Sequence, residues 1–273
     1  MDKIYIILLI LLILLLIKNM IKEQFTHKKV ALCFFGICRS TQYTIESINK
    51  YIYSALDNLN IEYDIYLHTY NIDTEYVNKW ANETGLKINN DNYKLLNANY
   101  ISIENDSDIS KELELHKYRS HGDPWSNIRY AKGDTEFITL NNAIKGMYSI
   151  YQVTKMWKNT GIKYDGILYL RPDVLYLQPL TLEYLNLIQE NTIVIPNFAE
   201  FPINDKFAMG SPDVMEKYGN RYLDAYEYSL LKQLHTETYL NHILNKNKIK
   251  IKKIYFNFCR IKPNGENRDP ELL

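Results

Sequence analysis

The chain has 273 residues, with 32 basic and 32 acidic side chains and a formal net charge of zero. That length suits one large domain or two small ones, and a domain of that size buries enough surface to hold together without disulfide staples. The even charge balance argues against a general nucleic-acid binder, which carries a basic excess. The three cysteines, Cys33, Cys38 and Cys259, lack metal-ligand spacing and are too few for a disulfide framework.

Residues 4–17 read IYIILLILLILLLI, an unbroken apolar run between Lys3 and Lys18. A bilayer-spanning helix wants about 20 residues, with a lower limit near 17. Extension through Met20 and Ile21, with snorkelling lysines, reaches that length. No small-residue cleavage site follows, so 4–21 reads as a transmembrane anchor rather than a signal peptide. Residues 22–29 then form a polar stem, and 30–273 form one domain without an internal linker or repeat. Lys18, Lys22, Lys28 and Lys29 follow the apolar run and only Lys3 precedes it, a bias that by itself would keep the domain on the cytoplasmic side and leaves the side open against the resemblance given below.

Within that domain, 30–35 predicts a short apolar strand that buries Cys33. A helix follows over 41–59, with apolar positions at Ile45, Ile48, Ile52, Ala55 and Leu59. A second strand covers 63–68. Residues 71–125 read as polar and irregular, with one strand at 100–103. The stripe Phe137, Leu140, Ile144, Met147, Tyr148 and Tyr151 predicts a long helix over 134–159, stopped by Gly161. Residues 166–170 (GILYL) predict a strand buried on both faces, and 192–195 another. Ser211 and Pro212 open a helix as N-cap and first-turn proline. A further helix at 235–244 and a late strand at 249–256 complete the chain. This alternation predicts an α/β fold: a mostly parallel central sheet flanked by helices, preceded by the anchor.

Ligands of such sheets bind beyond the carboxyl ends of the strands, and three segments put polar groups there. In the first, Gly36 lets backbone approach a ligand, Arg39 offers a planar fork for phosphate, and Ser40 leads into the amides of the next helix. The alternative is a tight turn with a capped helix and an exposed arginine. In the second, Arg171-Pro172-Asp173 ends the buried strand. Arg171 and Asp173 point the same way on extended chain, to share a ligand or to pair with each other. In the third, Asp205 and Glu237 are carboxylates suited to general-base work, or else solvated loop and first-turn charges.

Taken in order, Gly36–Ser40, Tyr63–Tyr70 (YDIYLHTY), Met147–Tyr151, Tyr164–Asp173 (ending RPD), Asn204–Ser211 (NDKFAMGS) and His235–Glu237 resemble a family of glycosyltransferases with the GT-A type of fold, Rossmann-like in its sheet. The resemblance covers most of 30–245. It implies transfer of a sugar from a nucleotide-sugar donor to a hydroxyl of a glycan or protein acceptor. It puts Asp173 where the family has its Asp-x-Asp motif, which holds a divalent metal, Mn or Mg, against the donor diphosphate. Here Arg171 stands in place of the first Asp, so Arg171 neutralises the diphosphate or Asp173 alone ligates the ion. Gly36, Arg39 and Ser40 contact the nucleotide, and Asp205 or Glu237 is the acceptor base. A literal Asp106-Ser107-Asp108 has no buried strand before it and is set aside. Tyr70 and Trp125 are read as packing residues rather than as platforms for a base or sugar. Membrane-bound members of the secretory pathway face the lumen, opposite to the side that the lysine bias indicates. Two other readings stand beside this one. A membrane-anchored sulfotransferase is similar at Arg39-Ser40-Thr41 but leaves the RPD segment unexplained. A tethered, non-catalytic nucleotide-sugar or glycan binding module would explain the missing first Asp.

Overall fold

The structure is a computed structural model that describes residues 5, 7–13, 28–126 and 134–269. Its centre is β1 (Lys29–Phe35), which runs in parallel between β2 (Glu62–Asn71) and β6 (Gly166–Leu170). In β1, Val30, Leu32 and Phe34 join one core while Ala31, Cys33 and Phe35 join the other, the period-two alternation of a strand covered on both faces. With β5 (Tyr100–Asn105), β8 (Thr192–Pro196), β9 (Ala208–Gly210) and β10 (Lys250–Ile254), these strands make a seven-stranded sheet in the order β10-β8-β9-β6-β1-β2-β5. Only β9 runs antiparallel, between β6 and β8. The chain moves outward from β1 to β2 and β5, then returns to the other side of β1 as β6. The direction of winding therefore reverses between β1 and β6, the point at which doubly wound sheets bind their ligands.

One face carries α1 (Thr41–Ile48), a π-helical stretch (Asn49–Tyr53) and α2 (Ser54–Asn58), whose Ile48, Ile52 and Leu56 are fully buried. The Tyr51 carbonyl in the π stretch accepts from the Leu180 amide at 2.9 Å. After the short α3 (Asp106–Glu112), the other face is covered by α4 (Ile138–Asn159). It is completed by α6 (Pro212–Ser229) and α7 (Thr236–Lys246), which follow the one-turn α5 (Leu182–Leu185). Two small ribbons lie off the main sheet: the hairpin of β3 (Tyr76–Asn78) and β4 (Glu83–Leu86), and β7 (Val174–Tyr176) paired with β11 (Phe258–Arg260).

The long helix begins at Ile138 rather than 134. The Asp134 carboxylate accepts from the amides of Ile138 (3.2 Å) and Thr139 (3.0 Å), so it serves the free first-turn donors from outside the helix. Gly161 ends this helix with φ +69°, as expected of a left-handed stop. Residues 71–125 hold more order than their polar sequence suggests, because the β3–β4 hairpin and α3 are fixed by long-range contacts described below. Of the expected anchor, residues 7–13 are helical. No helix among the described residues is long and apolar enough to cross a membrane. Most of 4–21, and the stem up to 27, lie outside the described residues.

Candidate functional site

At the end of β1 the chain turns at Gly36, whose φ of +88° belongs to the region glycine enters freely. Its amide donates to Ser149 Oγ on α4 (2.8 Å), and the Cys38 amide donates to Thr69 Oγ1 on β2 (3.3 Å). The loop is therefore held from two sides, and Arg39 is aimed inward. Arg39 Nε donates to Asp173 Oδ2 (2.9 Å), and Nη1 donates to Tyr76 OH (2.6 Å) and Glu83 Oε2. Arg39 is 3% exposed, Asp173 and Glu83 1% each. This arginine ties the β3–β4 hairpin to the sheet, and it is not open to a phosphate. Ser40 also faces protein: its hydroxyl donates to the Ile261 carbonyl (2.9 Å).

At the end of β6, Arg171 grips Asp173 with two parallel bonds, Nε to Oδ1 at 2.8 Å and Nη2 to Oδ2 at 2.6 Å. The Pro172 carbonyl between them accepts from Thr44 Oγ1 on α1 (2.6 Å). Burial alone would raise the Asp173 carboxyl, but the charges of Arg171 and Arg39 outweigh it and hold it well below the usual carboxylate range. The Arg171 side chain is 31% exposed. It is thus a fixed cation with one side still open, standing at the switch point.

The third segment reaches the same edge because β9 runs backwards. Its start, not its end, lies where the parallel strands finish, so Asn204, Asp205 and Lys206 arrive there just before it. Buried Asn204 shapes this turn: its Oδ1 accepts from the Lys206 amide (2.8 Å) and its Nδ2 donates to the Phe198 carbonyl (2.9 Å). Lys206 Nζ donates to both Asp205 Oδ1 (2.8 Å) and Glu237 Oε1 (2.6 Å). Glu237 sits in the first turn of α7, where N-cap His235 places its Nε2 4.0 Å from Glu237 Oε2. One lysine is thus shared by two carboxylates. Burial pushes Glu237 up to about 7, helped by the negative charge of Asp205. Asp205 goes the other way: burial opposes it, but the charge and hydrogen bond of Lys206 and the Thr236 hydroxyl hold it low. Asp205 also acts on Arg171, and Arg260 on Glu237, so the two charged groups lie within each other's fields.

Two parts of the site were not foreseen from sequence. The first is the C-terminal turn after β11. Ile261 donates its amide to the Asp173 carbonyl (2.9 Å), and Arg260 Nε donates to Asp269 Oδ2 (2.8 Å). The arginines at 260 and 268, close to an aspartate, were the available signal. The second is a cavity of about 460 Å³ beyond β1, β2 and β5, lined by Ile37, Tyr76, Asp106, Arg119, Asn142 and Lys145 among others. Asp106, set aside above, opens α3 and pairs with Lys145 at 2.6 Å. Tyr76 joins this cavity to Arg39. Tyr70 is buried, donating to the Lys145 carbonyl (2.8 Å), and Trp125 is buried against His235.

The residues present do not fit a divalent metal at Asp173. Its two oxygens already accept three N–H bonds from two arginines, and a hard cation needs several oxygen ligands of its own. No group of three or more His, Cys, Asp or Glu among the described residues is placed to hold an ion. Neither a protein-family model nor a curated protein matches the sequence.

Proposed function

We propose that the chain is a GT-A-type glycosyltransferase that moves a sugar from a nucleotide-sugar donor to a hydroxyl of a glycan or protein acceptor, tethered to a membrane by 4–21. The observation that carries this reading is Arg171: a guanidinium fixed by two bonds to buried Asp173, open on one side, at the reversal of a doubly wound sheet. The cavity beyond β1 and β2, at about 460 Å³, has the size of a small-molecule site and suits the nucleoside.

In the reaction, the bond between the sugar's anomeric carbon and the diphosphate oxygen breaks, and negative charge grows on that oxygen. Arg171 meets this charge without having to reorganise, which is where electrostatic preorganisation lowers a barrier. The acceptor oxygen forms the new bond to the anomeric carbon and its proton passes to Glu237. A carboxylate with a pKa near the working pH is the efficient choice for that step. Asp205 stays ionised and, through Lys206, keeps the proton-accepting oxygen of Glu237 in place.

The test is a thermal-shift screen of the full chain in detergent against UDP-, GDP- and CMP-sugars. A donor that binds the folded protein raises the melting temperature, and Arg171→Ala abolishes the shift. A shift produced only by a 3′-phosphoadenosine nucleotide would move the reading to a sulfotransferase. A donor shift that survives Arg171→Ala would remove Arg171 from the donor site.

A further inference from the structure

Four arginines surround the switch point, and three of them have carboxylate partners. Arg39 has Asp173 and Glu83, Arg171 has Asp173, and Arg260 has Asp269. Arg268 differs. Its amide donates to the Arg260 carbonyl (2.8 Å), and the Ile261–Asn267 bridge closes the turn that carries it. Its half-buried guanidinium has no ion pair or hydrogen bond among the described residues. It lies in the fields of Arg260, Arg39, Glu83 and Asp269. Of these four arginines, Arg268 alone has no carboxylate paired with it among the described residues.

An unmatched, half-buried cation among like charges is unfavourable until an anion arrives. Burial, then the charges of Arg260 and Arg39, lower the Arg268 pKa to about 9. Arg39 Nη2 and Glu83 Oε1 are also buried without a partner, so the Arg39–Glu83 pair behind the strand ends is incompletely satisfied. The turn is not loosely placed, since Ser40 and Asp173 both bond to Ile261.

Resting on the transferase reading above, the geometry points to Arg268 as the second arm of a diphosphate clamp, acting with Arg171 and without a metal ion. A nucleoside diphosphate brings more than one negative charge to the strand ends. Asp173 is saturated by arginines and does not suit a cation, which leaves that charge to guanidinia. The turn that carries Arg268 is bonded through the Ile261 amide to the carbonyl of Asp173, whose carboxylate Arg171 grips, and the fork of each arginine suits two phosphate oxygens. Sugar transfer would then proceed in the presence of a chelator.

Calorimetric titration of the full chain with inorganic pyrophosphate in EDTA tests this. The wild type binds, Arg268→Gln binds at least tenfold more weakly, and Lys262→Ala, on the same turn, binds as the wild type does. Circular dichroism checks that each variant is folded; should Arg268→Gln fail to fold, Arg268→Lys takes its place and must still lose severalfold. Equal affinity in the folded Arg268 variant, or wild-type binding only when manganese is added, overturns the clamp. Pyrophosphate held through Arg268 while no UDP-, GDP- or CMP-sugar binds keeps the anion site and removes sugar transfer. Sugar nucleotides held equally by the Arg268 variant do the reverse.

Discussion

The two charged groups at the strand ends both pair buried carboxylates with cations, and they behave differently. Around Asp173 the count is even: Arg39 and Arg171 face Asp173 and Glu83, and every charge is neutralised by a close partner. Around Lys206 the count is odd, since one ammonium serves two carboxylates. Both groups are largely buried, so burial is not what separates them. An even set locks, with Asp173 held ionised at any ordinary pH. An odd set leaves one member frustrated, and here that member is Glu237, held near 7. The first is a frame that presents Arg171, and the second contains the group able to take and release a proton.

The sharpest way to break this contrast is Asp173→Ala. It leaves Arg39 buried with only one of its two counter-charges and Arg171 with none in contact, and loss of one partner of a buried pair costs about 3–5 kcal/mol. Equilibrium unfolding in urea measures it. A loss under about 1 kcal/mol would mean that the network is not the tie described here.

Next in size is Glu237→Gln. Its folded pKa lies above that of an ordinary carboxylate, so between about 4.3 and 7 the folded protein holds a proton that the unfolded chain has lost. Stability therefore falls as pH rises through that window, by roughly 3 kcal/mol. In Glu237→Gln that fall disappears, and the unfolding free energy becomes flatter from pH 4.5 to 7. The fall persisting unchanged in the variant would assign it to another group.

The smallest effect is expected outside both groups. Lys253 and Glu200 form an exposed pair at 2.8 Å, with side chains 44% and 23% exposed. Lys253→Ala should change stability by less than about 1 kcal/mol, as surface pairs do. A larger loss would show that the contrast between inner and outer charges is overstated.

Much of the sheet was legible because its central strands are long and apolar. Residues 30–35 and 166–170 had no other reading, and Gly161 and Pro212 marked helix ends through their own backbone restrictions. The shortest strands, β3, β7, β9 and β11, were not seen. Three residues carry no readable period, and their partners lie far along the chain. Within the site, 36–40 and 171–173 do meet, through Arg39 and Asp173, and Asp205 and Glu237 share one place. The inward aim of Arg39 was not foreseen. A fork that can hold phosphate equally holds carboxylates, and its partners Tyr76, Glu83 and Asp173, far along the chain, decide which. Arg268 was overlooked for a similar reason: an isolated arginine near a terminus looks like solvated charge until its neighbours are known.

The wide turn at Asn49–Tyr53 has a consequence for the segment that carries Arg171. Each residue advances a helix by about 100°, so residues 54–58 keep their phase only because the stretch before them is wound loosely. The same loose winding accompanies the Tyr51 carbonyl that receives Leu180, seven residues beyond Asp173. Shortening the helix by a single codon here would spin Leu56 away from the sheet and strand the Leu180 amide. Arg171 is thus keyed to the helical stretch at 41–58 through the chain that follows it, and a deletion there would cost more than a substitution.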